Sequence, residues 1–396
     1  MNFQNNTIVH LDLDTFFVSV ERLRNSALIG KPVIIGGLSD RGVVASCSYE
    51  ARRFGVHSAM PMRMALNLCR DAIVIRGDMD EYSKQSWLVT DVIADCAPVY
   101  EKASIDEHYL DISGMDRFIG CYKWTHELRS RIINETGLPI SFGLSVNKTV
   151  SKIATGEAKP NGEKEVPRDL VQPFLNPLPI KKIPGVGDRT RQLLHEVGVF
   201  TIQTLSAIPP EMIQHVLGKS GIDIWKKANG IDLSPVVRYS EEKSISTERT
   251  FETDTIDVQM LERLLIYMTE KIAFKMRKKQ RLASVVTVKI RYANYDTHTL
   301  QKKIAYTSFD HTLISTALDL FRRLYERRML IRLIGVKLGG LIGGVQQLDL
   351  FDNNDKIIKL YLSMDQIRMR YGSDAIHRAS GVEKSDKVKR AKAPIE

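Results

Sequence analysis

Three acidic residues stand where apolar segments of the chain end or turn, and carboxylates in such positions can bind divalent metal ions. Asp12 ends the apolar segment from residue 7 to residue 13, and the pair Asp106-Glu107 has apolar residues on both sides. Burying adjacent carboxylates costs free energy unless a cation neutralises them, and Mg²⁺ prefers carboxylate oxygens and substrate phosphates as ligands. Two such ions about 4 Å apart can stabilise the attacking and the leaving oxygen of an in-line displacement. The chemistry that these residues allow is therefore two-metal phosphoryl transfer.

The spacing of the acids alone leaves alternatives open. An aspartate at a strand end is a common turn former, and an Asp-Glu pair is usually a solvated edge. An ideal strand would also place Asp106 and Glu107 on opposite faces, so both reach one site only if a turn or bulge redirects one of them. Asp14 and Asp111 have the same ligand chemistry and remain competing candidates.

The predicted elements give the acids a mixed scaffold of strands and helices. We predict a strand over residues 7–13, a helix over 15–25, two strands around a turn near residues 104–107, and another strand over 140–146. Ligands commonly bind at the carboxyl ends of strands in mixed sheets, which is where Asp12 falls. The first 165 residues therefore predict an α/β or α+β core.

The rest of the chain divides into a helical part, a linker and a second mixed part. Prolines interrupt the chain beyond a boundary predicted near residues 160–162, and short helices follow to about residue 230. Residues 231–250 have the composition of a linker. From 244 to 341 the predicted order is βαββαβ, the split ferredoxin-like pattern. A last helix is predicted over 356–371, and we assign no role to the tail that follows residue 351.

Composition and charge narrow the classes of protein. The chain of 396 residues is 43% apolar and 26% charged, which is typical of a folded protein with two to four domains. It shows no apolar stretch of membrane-spanning length, and from the polar residues at its start we expect no secretory leader. Its four cysteines form no C-x-x-C pair, so we expect neither a zinc site nor disulfides and place the protein in a reducing cytoplasm. The net charge of +10 favours a polyanionic partner such as nucleic acid.

Four ordered motifs identify a family. They are His10-Leu11-Asp12-Leu13-Asp14-Thr15-Phe16-Phe17, Ser48-Tyr49-Glu50-Ala51-Arg52, Ala103-Ser104-Ile105-Asp106-Glu107 and Lys159-Pro160-Asn161-Gly162. Together they resemble the Y-family, or translesion, DNA polymerases, and most of all the bacterial DNA polymerase IV branch. The resemblance extends from about residue 9 to residue 351, which is nearly the whole chain.

The resemblance implies an α+β multidomain fold with the right-hand arrangement of a polymerase and an additional ferredoxin-like βαββαβ little-finger domain. The domains implied are a palm (1–14 and 78–166), fingers (15–77), a thumb with a helix-hairpin-helix (167–233), a linker (234–243), a little finger (244–344), and a clamp-binding peptide with a C-terminal tail (345–396).

The resemblance also assigns residues to the reaction. Asp12, Asp106 and Glu107 match the family's catalytic, metal-binding acids, and the backbone carbonyl of Leu13 matches a further ligand for two Mg²⁺ ions. Phe17 falls at the steric gate, where an aromatic ring would crowd a ribose 2′-hydroxyl. The positions that match nucleotide-binding residues are Phe16, Phe17, Ser46, Tyr49, Arg52 and Lys159.

The partners implied are primer-template DNA, deoxynucleoside triphosphates and a sliding clamp. Gly185 and Gly187 lie in a turn that resembles the family's helix-hairpin-helix, where glycine lets backbone N–H groups approach a phosphate. Lys275, Lys278 and Lys279 end a helix that could follow the DNA backbone, although such a run is more often a solvated face. The segment that resembles the bacterial clamp-binding peptide provides Gln347, Leu348, Leu350 and Phe351. We expect no membrane partner and a monomer.

The function implied is template-directed, low-fidelity DNA synthesis that bypasses damaged bases. The chain shows no second acidic constellation of the same quality, so we expect no proofreading. Three other functions stay open at this point: a clamp-tethered DNA-binding scaffold with an inactive palm, a two-metal nuclease, and a relative restricted to one nucleotide. The matches for triphosphate contacts at Tyr49, Arg52 and Lys159 argue against the nuclease.

Overall fold

A computed structural model describes residues 6–39, 41–115, 120–238, 241–344 and 355–381. The chain forms two compact units, Met1–Ser240 and Glu241–Glu396, and each is described by itself. Strands and helices mix in both, as the sequence predicts. The finer division into palm, fingers, thumb and little finger stays a prediction.

The first unit contains eight strands and eleven helices within its described residues. The strands are β1 (Ile8–Leu13), β2 (Val33–Gly36), β3 (Val44–Cys47), β4 (Ile73–Ile75), β5 (Val99–Lys102), β6 (Glu107–Asp111), β7 (Ile140–Ser145) and β8 (Glu163–Glu165). The helices are α1 (Phe16–Arg24), α2 (Tyr49–Arg52), α3 (Met62–Leu68), α4 (Met79–Cys96), α5 (Cys121–Thr136), α6 (Lys148–Ala158), α7 (Val171–Leu175), α8 (Asp188–Glu196), α9 (Ile202–Ala207), α10 (Pro210–Leu217) and α11 (Lys219–Ala228).

A five-stranded sheet with the order β5-β6-β1-β7-β8 carries the acids. β1 lies between β6 and β7 and is antiparallel to both, so Asp12 stands opposite Glu107 on one side and Ser141 on the other. Because directly opposed residues of an antiparallel pair share a face, the side chains of Asp12 and Glu107 lie on the same side of the sheet.

The two faces of this sheet have different partners. Val9, Leu11 and Leu13 point to the face that packs against α1, α4 and α5, and they form the main core of the unit. The opposite face, which carries Asp12 and Glu107, is covered by α6. This helix lies close to β7 at Gly143, where an added Cβ would come within 2.2 Å of the Ser151 carbonyl oxygen. Glycine at this position is therefore required for α6 to lie over the acids.

A small second sheet, with the order β3-β2-β4, stands beside α1 and carries α2 and α3. Its own core includes Ile34, Val44, Ala51 and Met62. The side chain of Ser48 accepts a hydrogen bond from the Ala51 N–H (3.3 Å) and caps α2, the short helix that presents Tyr49 and Arg52.

Helices α7 to α11 form a third core, and α6 adds Val150, Ile153 and Ala154 to it. Helix α6 therefore packs on the large sheet with one side and on these helices with the other. Between α7 and α8, a turn formed by residues 183–187 leads into α8, and Gly185 in this turn has a φ of 101°. Glycine adopts that left-handed conformation without the penalty other residues meet.

The second unit has the predicted order βαββαβ. Its elements are β9 (Ser244–Thr255), α12 (Val258–Lys278), β10 (Arg281–Tyr292), β11 (Thr297–Thr307), α13 (Asp310–Leu324), β12 (Ile331–Gly339), the short β13 (Ile342–Gly343) and the tail helix α14 (Asp355–Tyr371). The main sheet has the order β11-β10-β12-β9, so each βαβ pair has one strand inserted between its members. Val286, Val288 and Ile290 of β10 pack against α12 and α13 and form the core.

The tail helix α14 packs against the rest of the second unit with Tyr361, which is buried, and with its charged side. Asp365 and Arg368 are buried, whereas Leu360, Leu362 and Met369 are more than half exposed. Arg277 of α12 donates to both carboxylate oxygens of Asp365, at 2.6 and 2.9 Å, and also ion-pairs with Asp310 of α13. Arg368 and Arg378 extend this network to the buried Glu270 of α12. An interlocked set of ion pairs thus holds the tail, to which sequence analysis assigns no role.

Some predicted boundaries differ from the structure. The helix predicted over 312–329 ends at Leu324, and the strand predicted over 244–251 continues to Thr255. Helices α2 and α6 and strands β4 and β8 are not predicted. Helix α6 is the most important of these because it supplies residues that surround the acids.

Candidate active site

Asp12, at the end of β1, is largely buried beside an ammonium group. Its Oδ1 lies 2.5 Å from Lys159 Nζ, which comes from the turn after α6. Burial raises the pKa of Asp12 to about 6, the charges of Glu107 and Asp106 add to the rise, and Lys159 opposes it. The raised pKa therefore comes mainly from the loss of water around a carboxylate, with the neighbouring acids as a smaller contribution.

Asp106 lies in the turn immediately before β6, and one serine side chain shapes this turn. Ser104 Oγ accepts the N–H groups of Asp106 and Glu107, at 3.2 and 3.0 Å, and donates to Asp106 Oδ1 at 2.5 Å. The N–H of Leu13 in turn donates to the carbonyl oxygen of Asp106 at 3.0 Å. This is the redirecting turn that Asp106 and Glu107 require if both are to reach one site.

Glu107, the first residue of β6, lies beside cationic and polar residues of α6 and β1. Its Oε2 lies 2.5 Å from Lys152 Nζ and 3.7 Å from Nε2 of the buried His10. Contact with His10, together with the Lys152 ammonium, outweighs burial and lowers the pKa of Glu107 to about 2. Glu107 is therefore ionised, and its charge is balanced by Lys152.

The two competing candidates occupy different places. Asp111 is at the far end of β6 from Glu107, where it accepts hydrogen bonds from the backbone and side chain of Ser113. Asp14 is close to the other acids, but its carboxylate is buried and already accepts three hydrogen bonds. We therefore do not assign either residue to a metal.

A cavity brings most of the sequence-derived candidates together. Its lining includes Asp12, Leu13 and Asp106 together with Ser46, Arg52 and Lys159. The remaining lining residues are Thr15, Phe16, Phe17, Ala45 and Ser58. Thr15 and Ser58 are not among the candidates found from the sequence, although a hydroxyl next to Phe16 in the first motif is a signal that could have pointed to Thr15. Glu107 and Tyr49 lie next to the cavity without lining it.

The two neighbouring phenylalanines have different surroundings. Phe16 is 3% exposed and belongs to the main core, whereas Phe17 is only partly buried. The ring of Phe17 stacks on Tyr82 of α4, with the ring centroids 4.4 Å apart and the planes inclined by 13°. Stacking holds the Phe17 ring in one orientation at the cavity wall.

The triphosphate candidates are linked to each other. The guanidinium of Arg52 lies over the Tyr49 ring, 5.0 Å from its centroid, and the Tyr49 hydroxyl donates to Asp14 Oδ1 at 3.1 Å. Burial, followed by the charge of Asp14, raises the pKa of Tyr49 above its usual value. Arg52 and Lys159 are thus the two cationic side chains that line the cavity among the described residues.

The acids fit a divalent metal by their chemistry. No three His, Cys, Asp or Glu side chains of the described residues already converge as a metal cage. The donor set of three carboxylates and the backbone at Leu13 is nevertheless all oxygen, which suits Mg²⁺. Asp12, with its raised pKa, stands opposite Glu107 on one face and is bordered by Asp106 at the cavity. A cation would relieve the repulsion among these groups.

The residues predicted to contact DNA are spread over both units. Gly185 and Gly187 lie in the turn before α8, where Lys227 Nζ donates to the Pro184 carbonyl oxygen at 2.9 Å. Lys275, Lys278 and Lys279 are exposed at the end of α12, and Lys279 ion-pairs with Glu242. Arg277, within the same basic run, is buried in the tail network.

Sequence analysis misses a second basic surface on the sheet of the second unit. The alternate residues of β10 that face away from the helices include Lys289 and Arg291. Lys337 of β12 and Lys303 of β11 lie across from β10 residues on this same face. Alternation of buried Val286, Val288 and Ile290 with polar residues is the sequence signal that could have shown it.

The candidate clamp-binding residues Gln347, Leu348, Leu350 and Phe351 lie outside the described residues. The four cysteines are free thiols, in agreement with the absence of paired spacing. Within the part of the chain that the structure describes, no helix has the length and apolar character needed to cross a bilayer.

Comparisons with known proteins match both units. The model of the impB/mucB/samB family matches residues 11–156, the IMS family HHH motif matches 167–199, and the impB/mucB/samB family C-terminal domain matches 242–350. A DNA polymerase IV of Dehalococcoides mccartyi (strain CBDB1) is 40% identical over 373 residues, which cover 93% of this chain and 96% of the relative. A DNA polymerase IV of Treponema denticola is 36% identical over 329 residues, 83% of each chain.

Solved structures agree with these relatives. A Y-family DNA polymerase chimera of Dbh and Dpo4 is similar with a TM-score of 0.76 at 27% identity, and covers 85% of this chain and 100% of its own. A structure described as an insertion ternary complex of Dbh DNA polymerase is similar with a TM-score of 0.62, at the same identity and coverage.

The fold, the cavity and the matches define the class of protein: the chain belongs to the impB/mucB/samB family of Y-family DNA polymerases. It is a DNA-directed DNA polymerase of the translesion type, which binds primer-template DNA and nucleotide. Dependence on divalent metal ions is a general property of this family. The family and activity implied by the four motifs are confirmed.

Proposed function

We propose that the cavity is the site of nucleotidyl transfer to a primer 3′ end. The observation that supports this most directly is the lining itself. Carboxylates of Asp12 and Asp106, cations of Arg52 and Lys159, and the aromatic ring of Phe17 face one space. A deoxynucleoside triphosphate with its metals requires acidic ligands, phosphate-binding cations and a wall for the sugar, and this set provides each of them.

Asp12, Asp106, Glu107 and the carbonyl of Leu13 would hold two Mg²⁺ ions, which supply a lowered pKa of the 3′-hydroxyl and neutralise charge on the triphosphate. Lys159 neutralises Asp12 in this structure. A cation held by Asp12 would leave Lys159 free to bind a phosphate oxygen. Lys152 and His10 hold Glu107 ionised, which is the form that binds a metal ion.

Arg52, Lys159 and Ser46 are the proposed contacts of the triphosphate. A guanidinium can bind phosphate oxygens with two parallel N–H groups, and an ammonium acts as a point charge. The Tyr49 hydroxyl has one proton, which it donates to Asp14 here. Tyr49 is therefore proposed to assist triphosphate binding indirectly, because its ring packs against the Arg52 guanidinium. Phe16 is proposed to contact the nucleotide as part of the cavity wall.

The sugar selectivity of primer extension tests this function. Replacing Phe17 with Ala is expected to raise ribonucleotide incorporation relative to deoxyribonucleotide by roughly 10- to 100-fold, because fitting a group into filled space costs about 1–3 kcal/mol. Single-nucleotide incorporation with matched dNTP and rNTP measures the ratio of kcat/KM values.

Tyr82→Phe is the matched control for Phe17→Ala. It keeps the ring on which Phe17 stacks and removes only a hydroxyl that donates to Glu21 at 2.8 Å. We expect the sugar selectivity of this variant to equal that of the unmodified chain. A Phe17→Ala enzyme that retained full selectivity would show that the sugar binds elsewhere.

For DNA we propose contacts at both units. The turn with Gly185 and Gly187 and the end of α12 with Lys275, Lys278 and Lys279 would bind phosphates, as would the sheet face with Lys289, Lys303 and Lys337. Phosphate contacts carry no base information, so binding is expected to be independent of sequence and to weaken as salt rises. We also propose that the palm, fingers, thumb, linker and little finger have the boundaries that the resemblance implies.

We further propose that residues 347–351 bind a sliding clamp, with Leu350 and Phe351 as apolar anchors. Deleting these residues is expected to shorten the products made per binding event on clamp-loaded DNA to the length made without the clamp. Processivity assays under single-hit conditions, with and without the clamp, measure this. Loss of synthesis in the absence of the clamp as well would mean that the segment is needed for folding.

The chain is proposed to act as a monomer, because all residues of the proposed site belong to one chain. Its place of action is proposed to be the cytoplasm, since a polymerase works where its template is and the named bacterial relatives keep their chromosome there.

A further inference from the structure

Asp14 has two carboxylate oxygens with separate tasks. Its side chain is 2% exposed. Oδ2 accepts hydrogen bonds from the Ser141 hydroxyl of β7 at 2.8 Å and from the Asn161 N–H at 2.7 Å. Oδ1 accepts from the Tyr49 hydroxyl at 3.1 Å and lies 3.8 Å from Lys159 Nζ. One oxygen is thus bound to the sheet and the turn, and the other is directed towards groups near the cavity.

Asp14 holds the groups that position both cationic side chains of the cavity. Arg52 lies over the ring of Tyr49, and the hydroxyl at the far end of that ring is held by Asp14. Lys159 begins the turn 159–162, and the N–H of Asn161 in that turn is held by the same carboxylate. Tyr49 comes from α2 and Lys159 from the end of α6, so two distant segments meet at one buried acid.

We propose that Asp14 is a positioning residue that orders Arg52 and Lys159 for the triphosphate, and not a metal ligand. The proposal rests on the proposed function, in which these two cations bind the triphosphate. Three hydrogen bonds already use the Asp14 carboxylate, and it is absent from the cavity lining. Its effect on the reaction therefore passes through Tyr49 and through the turn at Asn161.

Asp14→Asn separates the two tasks. The amide oxygen has to remain at the Oδ2 position, where the Ser141 hydroxyl and the Asn161 N–H need an acceptor. The amide nitrogen then takes the Oδ1 position, where it can only donate to the Tyr49 oxygen, so the charged hydrogen bond from Tyr49 and the carboxylate charge near Lys159 are both lost. Because Arg52 and Lys159 must then be ordered when the nucleotide binds, we expect the incoming nucleotide to bind about five- to tenfold more weakly.

The test is single-turnover incorporation by the full chain, with the dNTP concentration varied to separate the Kd for dNTP from the maximal rate. Asp14→Asn and Tyr49→Phe are each expected to raise the Kd for dNTP about five- to tenfold, with a much smaller change in maximal rate and in the Kd for DNA. In the double variant the two effects should overlap, because both changes remove the same charged hydrogen bond, from the Tyr49 hydroxyl to the Asp14 carboxylate. Tyr49→Phe alters no charge and no backbone contact, so it keeps the test usable if Asp14→Asn folds poorly.

Ser19→Ala is the matched control. It removes the hydrogen bond that the Ser19 hydroxyl donates to the Asp14 carbonyl oxygen at 2.7 Å, and it leaves the Asp14 carboxylate with its three donors. A lower melting temperature with an unchanged Kd for dNTP is expected. The proposal is overturned if Asp14→Asn leaves the Kd for dNTP within twofold of the unmodified chain, if Ser19→Ala raises it equally, or if the Asp14→Asn and Tyr49→Phe effects are fully additive.

Arg52→Ala distinguishes this proposal from the function on which it rests. If Arg52→Ala raises the Kd for dNTP and Asp14→Asn does not, the triphosphate site stands and only the positioning role is rejected. If Arg52→Ala has no effect, Arg52 does not bind the triphosphate and both proposals are rejected.

Discussion

Asp106→Ala is expected to lower the rate of primer extension roughly 1000-fold, because a metal-binding carboxylate contributes several kcal/mol to the transition state and each 1.4 kcal/mol is a factor of ten. Among the three acids, Asp106 gives the clearest test. It lines the cavity, and the turn that contains it is held by the Ser104 hydroxyl through backbone N–H groups, which an alanine retains. Primer extension with saturating dNTP and Mg²⁺ measures the loss, and gel mobility of the DNA complex reports whether DNA binding survives.

Asp111→Ala is the control for the loss of a carboxylate. It changes the same kind of residue at the other end of β6, where the side chain accepts hydrogen bonds from Ser113. We expect normal extension from this variant. Equal extension by the Asp106→Ala variant would refute the assignment of the acids, and degradation of the primer in place of its extension would indicate a nuclease.

Arg277→Ala is expected to destabilise the second unit by about 3–5 kcal/mol, which is the usual cost of removing one partner from a buried ion pair. Arg277 is 12% exposed, and its removal leaves Asp310 and Asp365 without their main cation. The hydrogen bonds and charges of these acids outweigh burial and raise the pKa of Arg277, so the guanidinium is charged under all ordinary conditions. The result would be an early loss of structure in one unit.

The sequence allows the two units to be followed separately. All three tryptophans, Trp87, Trp124 and Trp225, lie in the first unit. Urea unfolding observed by tryptophan emission therefore reports the first unit, whereas far-UV circular dichroism reports both.

Arg277→Ala should add an early transition in circular dichroism and leave the emission curve unchanged. Arg322→Ala, which breaks an exposed pair with Glu262, should leave both curves close to those of the unmodified chain. Similar curves for both arginine variants would mean that the network adds nothing to stability.

The amount of this structure that sequence analysis predicts depends on how local the cause is. Strands β1, β6 and β7 and the order βαββαβ of the second unit can be predicted from the pattern of apolar and polar residues, which is a property of neighbouring positions. The sequence indicates the bend at Asp106 only as a requirement, because the cause of the bend is a set of hydrogen bonds made by the Ser104 side chain. Sequence analysis misses helix α6, and with it the contact of Lys152 with Glu107, which joins residues 45 positions apart.

The tail shows why other parts could not be predicted. A pattern-based prediction would bury Leu360, Leu362 and Met369 and expose Asp365 and Arg368, yet the structure has the opposite arrangement. The reason is tertiary: Arg277, Asp310 and Glu270 on two other helices provide partners for the charges of α14. No window of the tail sequence contains that information. Likewise, the three hydrogen bonds of Asp14 come from residues 35 to 147 positions away.

Helix α14 also affects how a polymerase bound to a clamp through residues 347–351 would be attached to that clamp. Described parts of the second unit stand on both sides of the proposed clamp peptide in the sequence: the Gly344 N–H donates to the Gln280 carbonyl oxygen, and α14 follows from residue 355. A clamp that bound residues 347–351 would therefore be attached to the polymerase through two held segments. Attachment at two points would restrict the volume in which the enzyme moves and raise its effective concentration at the primer end. Release of α14 would leave the clamp peptide attached at one end only, so the effective concentration of the enzyme at the primer end would fall and the distance that it could reach would increase.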